Sequence, residues 1–408
     1  MPPSSDPEDF VPTTQEALAQ FLAKNFTGPK RALTPTGGRT AFDFGGSLSK
    51  PAVAVDMTRL DRVVDYPARD MTITVEAGLR IDRLAEVLRV EGQRLPIDVP
   101  QSDRATLGGA LATNTSGPRR FGYGTFRDYV IGLTAMTAEG RVFHSGGRVV
   151  KNVAGYDLCK LMVGSLGTLA VETQVTLKLK PLPESSILVA AGFGNVADRD
   201  AAVCDLLNSQ ARPVAIETLN RAAAAAVENQ ARAGLPNDGW LLLVGFEGSP
   251  RETEWQAETW NKELAPRHPQ QQTRIQGAEA DRLWKALIDF ACDSEFAFQA
   301  NVLPSKVAAF EADVARLGVA TLSHSGDGIV IGRLNDPQTG SPNWATLWRS
   351  VEEAVRRSGG AFVPLCGGAS RPVPDAANQS GAWALMRKLK QSFDPADLLN
   401  PGRMFLDG

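Results

Sequence analysis

The chain has 408 residues, 43% of them hydrophobic and 22% charged, and its 43 Lys plus Arg against 46 Asp plus Glu leave a net charge of −3. This is a globular composition sufficient for two or three domains, without the electrostatic footprint that nucleic acid or an anionic membrane would select and without an apolar run of about 18 residues to cross a membrane. The isolated Cys159, Cys204, Cys292 and Cys366 form no CxxC pair and the three histidines form no HExxH, so iron–sulfur, structural zinc and zincin chemistry drop out, as does GxSxG hydrolysis. The opening MPPSSDPEDF has neither a basic n-region nor an apolar h-region, so no secretory signal is expected. Unpaired, mostly apolar-flanked cysteines fit a reducing cytosol.

In chain order, residues 13–26 predict a helix capped by Thr14, with Leu18, Phe21 and Leu22 on one face. A Gly/Pro/Thr-rich loop follows at 34–40. The β-branched runs 52–57 (AVAVDM) and 72–78 (TITVEAG) predict strands. Residues 80–91 space Ile81, Leu84 and Leu88 as a helix that Gly92 ends. Residues 108–167 hold 12 of the 38 glycines, with apolar runs between them. Such a segment is either backbone pressed close to something bulky or a string of tight turns in a sandwich. KPLPE (180–184) marks a boundary. Beyond it, SILVAAGF, WLLLVGFEG (240–248) and GIVIGRL (328–334) predict strands. NVADRDAAVCDLLNS, ETEWQAETWNKELA and EADRLWKALIDF (279–290) predict helices. This β-α-β recurrence points to a second α+β domain of split-βαβ type. The tail WALMRKLKQSFDPADLLNPGRMF reads as a helix and a proline-punctuated turn.

Four clusters can carry chemistry. In Pro35, Thr36, Gly37, Gly38, Arg39 and Thr40, consecutive glycines let backbone N–H groups converge on an anion, though a plain turn has the same composition. On this reading Gly38→Val clashes with a pyrophosphate and leaves a folded apoprotein. Thr106, Leu107, Gly108 and Gly109 precede Asn114, Thr115, Ser116 and Gly117, then Arg119, Arg120, Gly122, Tyr123 and Gly124. These residues either line a narrow slot with two arginines to balance phosphate, or form a surface loop with both arginines in solvent. Gly155-Tyr156-Asp157 and Gly164-Ser165-Leu166-Gly167-Thr168 bring further glycine ahead of a strand. Finally, Ser323-His324-Ser325-Gly326-Asp327-Gly328 sets a histidine where it can serve as a base or a substrate ligand, or simply stand exposed on a hairpin turn. A competing pattern is Gly192-Phe193-Gly194-Asn195-Val196-Ala197, which fits GxGxx(G/A) with Glu217 twenty residues on. It reads either as a Rossmann dinucleotide turn or as a helix capped by Asn195 or Asp198.

Taken in order, the 35–40 loop, VEAG (75–78), TLGG (106–109), GYDL (155–158), GSLGT (164–168) and LNPGR (399–403) resemble the vanillyl-alcohol-oxidase-like (PCMH-type) FAD-binding family, over about 30–183 and the tail. Within it, SGPRRFGYGTFRDYVIG, GRVVKNVAGYDLCKLMVGSLGTL and FDPADLLNPGRM look like the FAD-binding E-type subunits of bacterial glycolate oxidases. The resemblance implies an α+β fold, with a two-subdomain FAD-binding domain (1–183), a ferredoxin-like α+β cap (184–375) and a C-terminal segment (376–408) returning to the FAD domain. It implies FAD held by the 35–40 loop, by Thr106, Leu107, Gly108, Gly109, Asn114, Ser116, Gly117, Arg119, Gly122 and Tyr123, by Gly164, Gly167, Thr168 and Val171, and by Asn400. The first loop has no histidine, so the flavin is expected to be non-covalent. The D-type catalytic subunits carry His-x-Gly-Asp-Gly-Asn-x-His; here Ile329 and Ile331 replace its last polar pair, and Leu166 stands where those subunits have Glu.

The expectation is a cytoplasmic FAD-dependent oxidoreductase subunit that is peripheral to the membrane only through partners, a D-type FAD subunit and an Fe–S subunit. Its substrate is a small 2-hydroxy acid, with His324 as base and Arg333 as carboxylate clamp. The alternatives are a non-catalytic FAD-holding scaffold and an NAD(P)-binding Rossmann enzyme.

Overall fold

The computed structural model describes residues 9–41, 43–147, 156–236, 238–292, 294–334, 344–366 and 381–404. The chain divides into two units. The first takes Met1–Thr115, Thr125–Leu182 and Val373–Gly408, and the second takes Ser116–Gly124 and Pro183–Pro372. The stretch 116–124, expected inside the first domain, therefore belongs with the second.

In the first unit, helix α1 (Gln15–Thr27) begins where the Thr14 hydroxyl accepts from the Ala17 N–H at 3.1 Å. Strands β1 (Ala32–Thr36) and β2 (Ala52–Asp56) pair in parallel, Ala32 opposite Ala52. A second, five-stranded sheet contains β3 (Val63–Asp65), β4 (Thr72–Glu76), β5 (Val130–Met136), β6 (Val142–Gly146) and β7 (Val171–Lys178), in the order β3-β4-β7-β5-β6 with every neighbour antiparallel. Helix α2 (Ile81–Val90) lays Leu84 and Leu88 on this sheet beside Ile73, Val75 and Val175. The tail returns to this unit, where Leu398 and Leu399 join Leu33, Val53 and Val55 in the smaller core.

In the second unit, strands β8 (Ser185–Phe193), β9 (Ala215–Leu219), β10 (Trp240–Gly248), β11 (Gln271–Gln276), β12 (Phe296–Asn301), β13 (Ala320–His324), β14 (Ile329–Leu334) and β15 (Ala361–Cys366) form one sheet in the order β11-β8-β10-β9-β13-β14-β12-β15. Alternate residues of β10 serve opposite faces. Leu241 and Leu243 pack with helices α5 (Arg221–Ala231) and α7 (Ala278–Ile288), whereas Leu242 and Val244 pack with α4 (Val196–Leu207) and α6 (Pro250–Leu264). Burial on both faces is why the strand reads as an unbroken apolar run. No described helix is long and apolar enough to cross a membrane.

The dinucleotide reading of Gly192–Ala197 fails here. Strand β8 runs antiparallel to both of its neighbours, so no parallel βαβ unit exists around the turn. Asn195 caps α4 by accepting from the Asp198 N–H at 2.9 Å. A Cβ on Gly192 would lie 2.9 Å from Pro236, so that glycine answers to packing.

Candidate functional site

In the first unit the glycine-rich segments converge on α3 (Leu107–Thr113), which the Thr106 hydroxyl caps. The 164–168 turn is stitched to the end of this helix: the Gly164 N–H donates to the Leu111 carbonyl at 3.0 Å and the Leu166 N–H to the Ala112 carbonyl at 2.8 Å. Left-handed backbone recurs at Asn114 (φ 50°), Gly164 (82°), Leu166 (56°) and Gly167 (62°). From the tail, Asn400 donates through Nδ2 to the Leu166 carbonyl at 2.8 Å. A Cβ on Gly167 would meet that Nδ2 at 3.0 Å and Pro35 Cγ at 4.0 Å. Pro35, Asn114, Gly164, Gly167 and Asn400 are thus brought to one place.

A residue that the sequence reading missed fastens the arrangement. Lys390, on the C-terminal helix Gly381–Phe393, donates to the carbonyls of Thr168 and Leu399 at 2.9 Å each and pairs with Asp394 at 2.6 Å. Its only sequence signal is the i,i+4 spacing of Lys390 and Asp394.

The cradle fits FAD on an observation of its own. Asn114 Oδ1 and Asn400 Oδ1 are buried acceptors with no hydrogen-bond partner among the described residues. Buried acceptors call for donors, which FAD supplies through its ribityl hydroxyls and ring N–H. Other expected contacts serve the protein instead. Leu107 and Val171 are core residues, and the Thr168 hydroxyl donates to the Ser165 carbonyl at 2.7 Å. Gly108 lies close against Ala77, and Gly109 donates to the Thr106 cap. Gly155 lies outside the described residues, and Asp157 caps the short helix Leu158–Met162.

The 35–40 loop is also explained partly by the chain itself. A Cβ on Gly37 would stand 1.9 Å from Thr106 Oγ1, and one on Gly38 would stand 1.8 Å from the Arg104 carbonyl oxygen. Thr36 is buried and Thr40 half-buried, while Arg39 pairs with exposed Asp9 at 2.9 Å. Gly38→Val is therefore expected to destabilise the fold by about 1–3 kcal/mol, rather than yield a well-folded apoprotein. Urea midpoints measure this, and a wild-type midpoint in a flavin-free variant would restore the pyrophosphate clash as the whole effect.

In the second unit, the 116–124 stretch departs from its expected role. Arg119 donates to Glu247 at 2.7 Å and stacks on the Trp284 ring at 3.8 Å, and the Tyr123 hydroxyl donates to the same carboxylate at 3.1 Å. The Arg119 charge is matched by Glu247, so a phosphate has no unbalanced cation to find there. The Gly122 N–H donates to the Val214 carbonyl, and the Gly117 carbonyl accepts from Arg120. The Ser116 hydroxyl accepts from Arg120 at 2.9 Å. Arg120 also lies 3.5 Å from Asp327, and the Phe121 ring lies so close to Gly326 that a Cβ would meet it at 2.4 Å. Neither arginine is a loose surface charge.

His324 is not an exposed hairpin imidazole. It is buried, with Nδ1 at 2.7 and 2.9 Å from the two carboxylate oxygens of Glu217. Burial alone would favour the neutral ring. The charge and hydrogen bond of Glu217, aided by Asp327 and opposed by Arg120, outweigh it and raise the proton affinity above the ordinary histidine value. Arg333 is elsewhere. It pairs with Ala320 at the far end of the β13–β14 hairpin, whereas His324 pairs with Ile329 at the near end. Its guanidinium donates to the Phe290 carbonyl at 2.7 Å and stacks on the Phe290 ring at 4.6 Å. A carboxylate clamp shared by Arg333 and His324 is therefore excluded. Glu217 itself was noticed only through the failed dinucleotide pattern, because 107 residues separate it from its histidine.

Comparison with known proteins gives the family. Residues 10–146 match the FAD binding domain family, and residues 182–404 match the C-terminal domain of FAD linked oxidases. The chain is 26% identical over 396 residues to glycolate oxidase subunit GlcD of Bacillus subtilis, covering 91% of this chain and 83% of the relative. The mitochondrial D-lactate dehydrogenase [cytochrome] of Arabidopsis thaliana is 27% identical, with coverage of 96% and 72%. Glycolate oxidase subunit GlcE of Escherichia coli is 34% identical over 188 residues, 46% of this chain and 49% of that one. Among solved structures, an alkyldihydroxyacetonephosphate synthase superposes with a TM-score of 0.65 at 17% identity, over 96% of this chain and 76% of the other, a likeness of fold.

Proposed function

The chain belongs to the FAD-linked oxidases, and from that premise we propose that it is the E-type, FAD-holding subunit of a complex that oxidises glycolate or a related 2-hydroxy acid. FAD is its cofactor, held non-covalently because the 35–40 loop offers no histidine. When bound, FAD supplies an acceptor for the hydride of the substrate's α-carbon. The observation that carries the reading is the buried His324–Glu217 pair. A 2-hydroxy acid must lose its hydroxyl proton as the α-carbon is oxidised, and His324, with Nδ1 committed to Glu217, receives that proton at Nε2. Electrons leave through a D-type FAD subunit and an Fe–S subunit, since the four cysteines here are isolated.

A second reading, a scaffold that holds FAD without turning over substrate, draws on Ile329 and Ile331. They stand where the D-type pattern has polar ligands, and an apolar side chain can neither ligate nor orient a hydroxy acid. The absorption spectrum of the purified chain separates the readings. A flavin band at about 450 nm that bleaches anaerobically with glycolate or D-lactate is expected if the chain is catalytic. Bleaching only after a D-type partner is added selects the scaffold. A colourless chain that FAD cannot reconstitute defeats both.

A further inference from the structure

We propose that Glu217 is the positioning residue of the His324 site, fixing which ring nitrogen works and holding the ring's charge; this rests on the reading of His324 as the proton acceptor. Strands β9 and β13 place Glu217 directly opposite His324 at the last paired position of that ladder. The side chains of the two residues are 1% and 5% exposed. Both carboxylate oxygens reach Nδ1. A carboxylate can only accept, so Nδ1 carries the donated proton and Nε2 is the nitrogen that meets substrate.

The run Ser323-His324-Ser325 explains how this geometry is held. Side chains alternate along a strand, so Ser323 points away from the histidine, and Ser325 opens the turn that follows. The Ser323 hydroxyl donates to Glu311 at 2.5 Å, and the Ser325 hydroxyl shares a 2.6 Å hydrogen bond with Thr218, the neighbour of Glu217. Thr218 also donates to Glu311 at 2.9 Å, and Glu311 is in turn ion-paired with buried Arg199 at 2.6 Å. The strand end is thus anchored from the opposite face, and β9 and β13 are tied together at the residues flanking the pair. The charged groups bearing on the imidazole are Glu217 from β9, Asp327 from the following turn and Arg120 from the 116–124 stretch.

The test needs no turnover. The full chain with FAD bound, carrying 15N-labelled histidine, has only three imidazoles to resolve; His144 and His268 are exposed, and H324Q identifies the signal of the third. In the wild type, His324 is expected to titrate above the ordinary histidine value of 6.5, its neutral form protonated on Nδ1. A lower midpoint, or a neutral form protonated on Nε2, overturns the proposal without recourse to any variant. In Glu217→Gln the midpoint should fall by about one to three pH units, and Glu217→Asp should restore part of the shift. An unmoved midpoint in a folded Glu217→Gln chain also overturns it. Where the chain turns over hydroxy acid, the ascending limb of the kcat/KM profile should move with the midpoint. If the midpoint moves and the profile does not, Glu217 still governs the ring, but His324 is not the base.

Discussion

Replacing His324 with Gln should slow hydroxy-acid oxidation by about 10²–10⁴-fold, the range over which a positioned base contributes, while leaving flavin content and the folded state intact. His324 lies in the second unit, whereas the glycine-rich cradle of α3 and the 164–168 turn lies in the first. Flavin content and turnover are measured separately, so loss of the base is distinguished from loss of the cofactor. Gln can keep a hydrogen bond to Glu217, but it has no nitrogen able to take up a proton at neutral pH. The reductive half-reaction, followed as bleaching of the flavin band in the assembled complex, measures the step directly. The wild-type pH dependence follows from the direction of the shift. Below the raised pKa the ring is an imidazolium and cannot accept a proton, so kcat/KM climbs with pH, with its midpoint above the ordinary histidine value of 6.5. A rate that survives His324→Gln within a factor of about three would remove the histidine from the chemistry and favour the scaffold reading, the loss being far below what a general base supplies.

The outline of the fold was legible because its signals are local. Thr14 ahead of an amphipathic run, Asn195 ahead of another and the continuous apolar stretch of β10 each report their own neighbourhood. The cradle was partly legible for the same reason: glycine density and the need for left-handed backbone are written into 164–167. The pairings were not. Arg119 meets Glu247 across 128 residues of chain, and a solitary arginine reads equally well as a phosphate ligand until its carboxylate is in view. The strand register that carries Arg333 away from His324 is likewise invisible in GIVIGRL, since period-two alternation gives a face but not a distance along the hairpin. Gly38 teaches the converse: a glycine can look as though it is shaped for a ligand when a neighbouring carbonyl already demands it.

Glu172 provides a second large effect, on stability rather than rate. It is the second residue of β7, opposite Ala135 in the first unit, and its Oε1 is buried without a hydrogen-bond partner among the described residues. Burial pushes its pKa from 4.5 to about 7, with its own backbone N–H and the Ser165 hydroxyl pulling the other way. In the folded chain the carboxyl therefore keeps its proton through a window, from about 4.5 to about 7, in which the unfolded chain has lost it. The stabilising difference is fully present below the unfolded value and is lost as pH rises through the folded one. At 1.36 kcal/mol per pKa unit, the loss between pH 4.5 and pH 8 is about 3 kcal/mol. Glu172→Gln cannot ionise, so its stability should lack this component of the pH slope. The gap between variant and wild type should then shift by about 3 kcal/mol in favour of the variant as pH is raised. Any constant cost of housing the amide's extra donors displaces the whole curve without altering its slope. Urea midpoints at pH 5 and pH 8, taken at matched flavin occupancy because bound FAD itself stabilises the folded state, read that slope. Parallel curves would mean that Glu172 is ionised in the folded chain at both pH values, and that Ser165 and the backbone N–H compensate its charge far better than the unpartnered Oε1 indicates.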